Sequence, residues 1–274
     1  MADSDCMFRL GRIQDYLRYS AAQQYEVQSL PSFTAYFHPQ NDLPYFNYAI
    51  PDGPLSEDVA AALDMLREAF ERRGRRPRIE FLAECAPELA DTLTEAGFIQ
   101  EARQVLMVCT AQSFRPAPPR EGVTVTRLLS DASLDALRRM LDVQRRGFDP
   151  ESDVAVSEYE AQCFAEGMGG GAAYLAELGG EAVGAGIYMT PWQGMAELTG
   201  IATLPAYRRR GIATALVSCA VRDVLAHGAE MVCLIAADEA AGQMYERVGF
   251  EAVGTMLAYV VQDIPVPDSS DPSE

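Results

Sequence analysis

The chain has 274 residues, 49% of them hydrophobic and 23% charged, which is enough for one large globular domain or for two small ones with cores of their own. Its formal net charge of −18 argues against a nucleic-acid partner, which is bound mainly through clustered Lys and Arg, and favours a cationic partner. No stretch approaches the ~20 apolar residues of a membrane span, and no basic region followed by an apolar one opens the chain, so we expect a cytoplasmic protein with no membrane partner.

Cysteine and histidine usage gives no sign of a metal site. The six cysteines are scattered without a Cys-x-x-Cys pair, so reduced and mostly buried thiols are expected. The two histidines, His38 and His227, leave little material for a zinc site or for a histidine-activated nucleophile. We therefore expect no bound metal.

Along the chain, the first half carries one basic run, Arg72–Arg78, which we interpret as a solvated turn between a helix and a strand, with a polyanion site as the alternative. The segment Phe114–Gly122 has three prolines in four positions, which cannot sustain a helix or a sheet. It is the predicted linker. The predicted division is an N-terminal domain at 1–113, the linker at 114–122, a second domain at 123–262 and a disordered acidic tail at 263–274.

The second half alternates between strand and helix patterns. Predicted strands cover Val123–Leu128, Ala173–Leu178, Ala182–Met189, Met195–Thr203, Met231–Ala236 and Phe250–Val260, and predicted helices cover Asp131–Arg146, Ser157–Glu166, Gly211–Ala226 and Glu239–Val248. Gly179 and Gly180 predict a tight hairpin turn between two of the strands. The mixed order indicates an α/β or α+β fold with a mixed sheet.

The most informative segment is Gly200–Thr214, in which an apolar strand turns through Pro205 into a basic loop and then a helix. Its loop fits the pattern Arg/Gln-x-x-Gly-x-Gly/Ala through Arg208, Gly211 and Ala213. Small residues let the backbone approach an anion, and the N-H groups and the positive dipole end of the helix point the same way. The segment therefore predicts a pyrophosphate-binding loop, with a solvated basic turn as the alternative.

A second segment, Gly242–Phe250, is similar to the pattern Ala-x-x-Leu-Tyr-x-x-x-Gly-Phe. With the loop Arg208–Ala213, it makes residues 122–260 resemble the GNAT superfamily of N-acetyltransferases. The resemblance implies a GNAT-like acyl-CoA acyltransferase fold whose sheet splays open near its middle and admits the pantetheine arm of acetyl-CoA.

The resemblance also implies cofactor-binding residues. Backbone groups of Ile201, Ala202 and Thr203 would pair with the pantetheine amides. The pyrophosphate would be held by the pattern residue Arg208 and the turn that follows it, comprising Arg209, Arg210, Gly211, Ile212, Ala213 and Thr214. Asp238 stands seven residues before Tyr245, where many members of the family have an asparagine that contacts the cofactor.

Two residues carry the implied chemistry. Tyr245 matches the family's general acid, which would give a proton to the departing thiolate; the alternative is a packed helix tyrosine with a satisfied hydroxyl. Glu197 lies on the strand from which some members recruit a base, directly or through water; the alternative is an ordinary solvent-facing carboxylate. Weaker candidates for binding a cationic acceptor are Glu151, Asp153 and Glu158.

The first half resembles the second at an offset of 152 residues, which aligns Gly97 with Gly249 and indicates an internal duplication. The catalytic parts are absent from the first copy: Leu93 occupies the place of Tyr245, and the acidic segment Ser56–Ala61 replaces Arg208–Ala213. We therefore expect two similar domains in tandem. The N-terminal one would be a degenerate GNAT-like domain that supports the fold, shapes the substrate cleft or mediates dimerisation.

The predicted function is transfer of an acetyl group from acetyl-CoA to a primary amine of a small molecule or peptide by direct attack, with a cationic acceptor and no metal. The protein would act as a monomer or a homodimer. A non-catalytic acyl-CoA-binding or interaction protein is the alternative, and such a protein needs neither Tyr245 nor Glu197.

Overall fold

The computed structural model describes residues 2–39, 41–53 and 59–261, so the predicted tail at 263–274 lies outside the described residues. The chain divides into two compact units. Unit 1 comprises Met1–Gln24 and Gln104–Met256, and unit 2 comprises Tyr25–Arg103 and Leu257–Glu274. None of the helices in the described part of the chain is long and apolar enough to cross a membrane.

Unit 1 contains most of the second half of the sequence. Its helices are α1 (Ala2–Ala22), α4 (Leu134–Phe148), α5 (Glu158–Gly167), α6 (Ile212–Ala226) and α7 (Glu239–Glu246). Its strands are β6 (Val123–Leu128), β7 (Ala172–Leu178), β8 (Glu181–Tyr188), β9 (Met195–Thr203) and β10 (Met231–Ala236), with the later part of β5 (Phe98–Thr110) and the first part of β11 (Glu251–Val261). The predicted hairpin turn between β7 and β8 is present, with positive φ at Gly179 and Gly180.

The sheet of unit 1 has the order β5–β10–β9–β8–β7–β6. The pair β9–β10 is parallel, whereas β5–β10, β8–β9, β7–β8 and β6–β7 are antiparallel. One face packs on α6, whose buried stripe is the one that its four-residue spacing predicts: Ile212, Leu216, Ala220 and Val224. The other face packs on α4 and α5 through Leu137, Met140 and Ala161. Both mixed pairing and helices on two faces agree with the predicted class.

Unit 2 is built from β1 (Glu26–Leu30), β2 (Phe33–Phe37), β3 (Asn47–Pro51), α2 (Val59–Glu71), β4 (Arg78–Leu82) and α3 (Leu89–Glu95). Its strand order is β1–β2–β3–β4–β11–β5, with β3 and β4 parallel at Ala49 and Ile79. Its core contains Leu66, Phe81 and Leu93, so the leucine at the place of Tyr245 is a packing residue.

The two halves repeat each other at the offset of 152 residues, because β4, α3 and β5 fall on β10, α7 and β11. The last strand of each copy is the neighbour of a strand from the other copy. In the sheet, β5 of the first copy lies next to β10 of the second, and β11 of the second copy lies next to β4 of the first. The compact units therefore do not coincide with the sequence ranges 1–113 and 123–262, whose boundaries stay a prediction. The prediction of two similar domains in tandem is confirmed.

Candidate active site

The sheet of unit 1 opens between β9 and β10. The two strands pair at three positions, of which the last joins Glu197 to Cys233; in the described strands, the pairing does not continue beyond it. On its other side, β9 has a bulge against β8. Two residues lie between Thr199 and Ala202 of β9, whereas one residue lies between their partners on β8, Ile187 and Ala185. Gly200 occupies the bulge with a φ of +61°. This opening is the splay that the resemblance implies, and it leaves the backbone of Ile201–Thr203 beside the gap.

The end of α4 packs directly on this stretch of β9. Gln144 donates from Nε2 to the carbonyl of Gly200 at 3.0 Å. A Cβ on Gly147 would stand 2.7 Å from the Cβ of Ala202, so only glycine allows this approach. The Thr203 hydroxyl is buried and has no hydrogen-bond partner among the described residues.

Arg208, predicted to help hold the pyrophosphate, forms two hydrogen bonds to main-chain carbonyls. Its Nη2 donates to the carbonyl of Gly147 at 2.8 Å, and its Nε donates to that of Thr203 at 3.2 Å. The guanidinium thus ties the loop after β9 to the end of α4. The pattern that singles out Arg208 does not reveal these two acceptors, one of which lies 61 residues away.

The loop between β9 and α6 ends in a helix N-terminus suited to an anion. Gly211 is the N-cap of α6 with a φ of +78°, and Arg209 is also left-handed with a φ of +64°. In the described part of the chain no side chain caps the helix, and the first amides of α6, at Ile212–Thr214, have no intrahelical acceptor. With Arg209 and Arg210 exposed beside them, these amides form the kind of site that binds phosphate oxygens.

Tyr245 is a buried residue of α7, 7% exposed, whose ring packs against Phe250 with centroids 5.8 Å apart. Among the described residues, none forms a hydrogen bond with its hydroxyl. Four other buried tyrosines have hydroxyls with protein partners: that of Tyr16 donates to Thr190, that of Tyr174 to Asp223 and that of Tyr259 to Gln100, while that of Tyr188 accepts from Arg127. A hydroxyl without a protein partner, on a tyrosine that is otherwise buried, is suited to a ligand atom.

Burial, and after it the nearby carboxylate of Asp238, raises the pKa of Tyr245 to about 12. The phenol is therefore protonated at neutral pH and can donate a proton. Asp238 itself is exposed at the N-cap of α7, where its Oδ1 accepts from the amide of Ala241 at 2.8 Å. This cap explains an acidic residue here, and the predicted cofactor contact of Asp238 stays a prediction.

Glu197 is half-buried at the last paired position of β9. Its amide donates to the Tyr16 hydroxyl of α1 at 3.0 Å, and its carbonyl accepts from Met189 at 2.9 Å. Burial, and after it the charge of Glu197, raises the pKa of both Tyr16 and Cys233. The carboxylate thus lies near α1 and β10, which differs from an ordinary carboxylate facing solvent.

The two candidate catalytic residues approach the gap from opposite faces of the sheet. Tyr245 belongs to the cluster that contains Val232 and Leu234 of β10, on the face covered by α6. Cys233 lies between those two residues and points to the other face, as does its register partner Glu197. The side chains of Tyr245 and Glu197 thereby lie on either side of the point where β9 and β10 separate.

The weaker acidic candidates lie elsewhere on the surface. Glu151, Asp153 and Glu158 are exposed in and after the segment that joins α4 to α5. An open depression of about 510 Å³ beside α4 and α5 is lined by Ser130, Gln162 and others, and none of the predicted site residues borders it. Within the described residues there is no group of three His, Cys, Asp or Glu side chains that could hold a metal ion.

The chain is similar to known proteins in one family pattern and in its fold. A family model described as the Acetyltransferase (GNAT) family matches residues 134–250, and no curated protein matches the chain. A solved GCN5-related N-acetyltransferase from Kribbella flavida is similar, with 21% identity, a TM-score of 0.76 and coverage of 92% of this chain and 95% of that one. A GCN5-related N-acetyltransferase from Sphaerobacter thermophilus has 14% identity, a TM-score of 0.61 and coverage of 84% and 77%.

One further similar structure has the tandem arrangement. It is described as a tandem GNAT protein from the clavulanic acid biosynthesis pathway, with 12% identity, a TM-score of 0.60 and coverage of 83% of this chain and 77% of that one. At such identities the likeness concerns the fold alone. It confirms the predicted GNAT-like fold with two similar domains.

Proposed function

We propose that the protein transfers an acetyl group from acetyl-CoA to a primary amine of a small molecule or peptide. The proposal starts from the match of residues 134–250 to the model of the acetyltransferase (GNAT) family. The observation that carries the proposal is the side chain of Tyr245, which is 7% exposed beside the open sheet and whose hydroxyl has no hydrogen-bond partner among the described residues. A tyrosine that served packing alone would be expected to satisfy its hydroxyl, as Tyr16, Tyr174, Tyr188 and Tyr259 do.

The residues around the gap fit acetyl-CoA. The uncapped amides of Ile212–Thr214 and the exposed Arg209 and Arg210 would hold the diphosphate. The backbone of Ile201–Thr203, which has no strand partner on the β10 side, would pair with the amides of the pantetheine arm. The acyl thioester would then lie between β9 and β10.

The chemistry assigned to the chain consists of two proton transfers and of positioning. Glu197, directly or through water, would accept a proton from the acceptor ammonium or from the attacking amine. Tyr245 would donate its proton to the departing thiolate. Because the pKa of Tyr245 is about 12, the thiolate is a weaker base than the tyrosinate that the transfer leaves behind. The placement of the hydroxyl at the sulfur must therefore supply much of the effect. Attack of the nitrogen on the thioester carbon forms the amide and breaks the C–S bond.

The acceptor is proposed to be cationic, because the chain is strongly acidic and the exposed carboxylates of Glu151, Asp153 and Glu158 follow α4. The cytoplasmic location and the monomeric or homodimeric state remain predictions. A non-catalytic acyl-CoA-binding protein is the second candidate, but such a protein has no use for an acid and a base on opposite sides of the gap.

The test compares thiol release from acetyl-CoA, across a panel of primary amines, for the wild-type protein and for Tyr245→Phe. We expect kcat of the variant to fall by about 10²-fold or more, with an unchanged Kd for acetyl-CoA, since the phenol acts only in the transfer step. Tyr259→Phe, in the core of unit 2, is the matched control and should keep its activity. Equal kcat in wild type and Tyr245→Phe would remove Tyr245 from this role, and tight acetyl-CoA binding without turnover of any amine would favour the binding protein.

A further inference from the structure

Arg120 lies over the N-terminus of α6. If Gly211 carried a Cβ, that atom would stand 2.7 Å from Nε of Arg120 and 3.0 Å from both Cζ and Nη2. The guanidinium therefore fills the space that the glycine leaves at the N-cap. Arg120 belongs to the segment predicted as a linker, and the pattern for a pyrophosphate-binding loop does not include it.

The segment that carries Arg120 is fixed along α6. The amide of Arg115 donates to the carbonyl of Val248 at 2.9 Å, and that of Ala117 donates to the buried hydroxyl of Ser218 at 2.8 Å. From Ser218 to Gly211 the helix covers about 10 Å, and three extended residues from Ala117 to Arg120 cover about the same distance. Two prolines within those three residues favour the extended backbone. Residues 115–120 form a short segment, called the strap below, that is anchored by these two hydrogen bonds and places Arg120 at the helix end.

Positive charge is concentrated at this place. The positive end of the α6 dipole, Arg209, Arg210 and Arg120 meet at one loop, and cations near a helix N-terminus are destabilising. Among the described residues, none forms a hydrogen bond or an ion pair with the Arg120 guanidinium. Five N-H donors next to uncapped amides are complementary to phosphate oxygens.

We propose that Arg120 is a phosphate-binding residue of the donor site, so that the strap 115–120 contributes to the choice of a phosphorylated acyl carrier over a simple acyl thioester. This inference rests on the proposed function and extends it. The contact is either with the diphosphate or with the 3′-phosphate of the carrier, since both present the same oxygen chemistry.

The experiment measures the Kd of acetyl-CoA and the kinetics of thiol release for the wild type, Arg120→Ala, Arg120→Lys and Arg115→Ala. We expect Arg120→Ala to raise the Kd and KM for acetyl-CoA about tenfold while kcat stays within about twofold, because a charge-assisted contact to a non-reacting group is lost. Arg120→Lys should recover part of the affinity, since it keeps the charge and loses the fork of donors. Arg115→Ala is the matched control, because its side chain is exposed on the same strap and its anchoring amide is retained.

Two other acyl donors separate the contributions of the diphosphate and of the 3′-phosphate. S-acetylpantetheine lacks all phosphates and should give the same KM with wild type and Arg120→Ala. With acetyl-dephospho-CoA, a tenfold effect that persists assigns the contact to the diphosphate, and an effect that disappears assigns it to the 3′-phosphate. Arg120→Ala that binds acetyl-CoA as tightly as wild type, or more tightly, would overturn the inference alone, whereas a wild type that binds no acetyl-CoA would overturn the proposed function as well.

Discussion

At the scale of single residues, the sequence predicts roles for Tyr245 and Glu197, and the structure shows the surroundings of both side chains. The unpartnered hydroxyl of Tyr245 and the contact of Glu197 with Tyr16 could not be predicted. Tyr16 lies 181 residues from Glu197 on a helix with no motif, and only the packing of α1 in unit 1 brings the two together. Asp238, which departs from the family pattern, is explained by a capping hydrogen bond.

The assigned role of Glu197 predicts the effect of Glu197→Gln. We expect kcat/KM at pH 7 to fall by about tenfold or more and the acid limb of its pH profile to change, because the proton acceptor is lost while the shape of the side chain is kept. Glu88→Gln, an exposed carboxylate of unit 2, serves as the control. A profile for Glu197→Gln that overlays the wild-type profile would contradict the role of base.

The role assigned to Tyr245 leads to a prediction for the alkaline limb of the pH profile of kcat/KM. Since its pKa is raised to about 12, the proton that it donates is retained below about pH 11, and its ionisation causes no loss of kcat/KM between pH 7 and 10. The measurement is the alkaline limb of wild type beside that of Tyr245→Phe. An alkaline midpoint near pH 9 that disappears in the variant would show that the phenol ionises without the effect of burial.

At the scale of elements, the periodic segments are predictable and their docking is not. The four-residue stripe of α6 and the glycine hairpin between β7 and β8 appear where local patterns place them. The segment 114–122 illustrates the limit. Its prolines exclude helix and sheet, but only the coordinates reveal that Ala117 hydrogen-bonds to Ser218 and that the segment lies along α6.

Gly249 after α7 gives a prediction at this scale. Its φ is +99°, and a Cβ there would stand 2.0 Å from the carbonyl oxygen of Ser113, a main-chain atom that cannot move aside cheaply. Gly249→Ala should lower the free energy of unfolding by about 2–4 kcal/mol. Gly228 has a similar φ of +94° and no atom within 4 Å of such a Cβ, so Gly228→Ala should cost about 1–2 kcal/mol. Denaturant titration compares the two, and equal losses would contradict the close contact at Gly249.

At the scale of the whole molecule, the duplication can be predicted from the offset of 152 residues, whereas the exchange of the final strands cannot. The strands β5 and β11 are equivalent in the two copies and have similar apolar patterns. The residues of these strands therefore do not indicate which partner strand each one pairs with. The coordinates place β5 beside β10 through six register pairs, and α1 in unit 1. A catalytic domain defined from sequence alone therefore lacks two of its structural elements.

This exchange predicts that a fragment of residues 123–274 does not fold stably. Without residues 105–110 the strand β10 loses its antiparallel neighbour and exposes an apolar edge, and without α1 the hydrogen bond from the amide of Glu197 to Tyr16 is lost. Circular dichroism and thermal unfolding of the fragment, compared with the full chain, measure the effect. A cooperative transition of the fragment at the full-chain midpoint would contradict the structural importance of these two elements.

The most direct test of the account is a crystal structure of the full chain grown with acetyl-CoA. The account predicts one molecule per chain, with its diphosphate on the amides of Ile212–Thr214 and its thioester between β9 and β10, within reach of the Tyr245 hydroxyl. Carrier bound at another place, or a gap that stays empty at saturating acetyl-CoA, would contradict it.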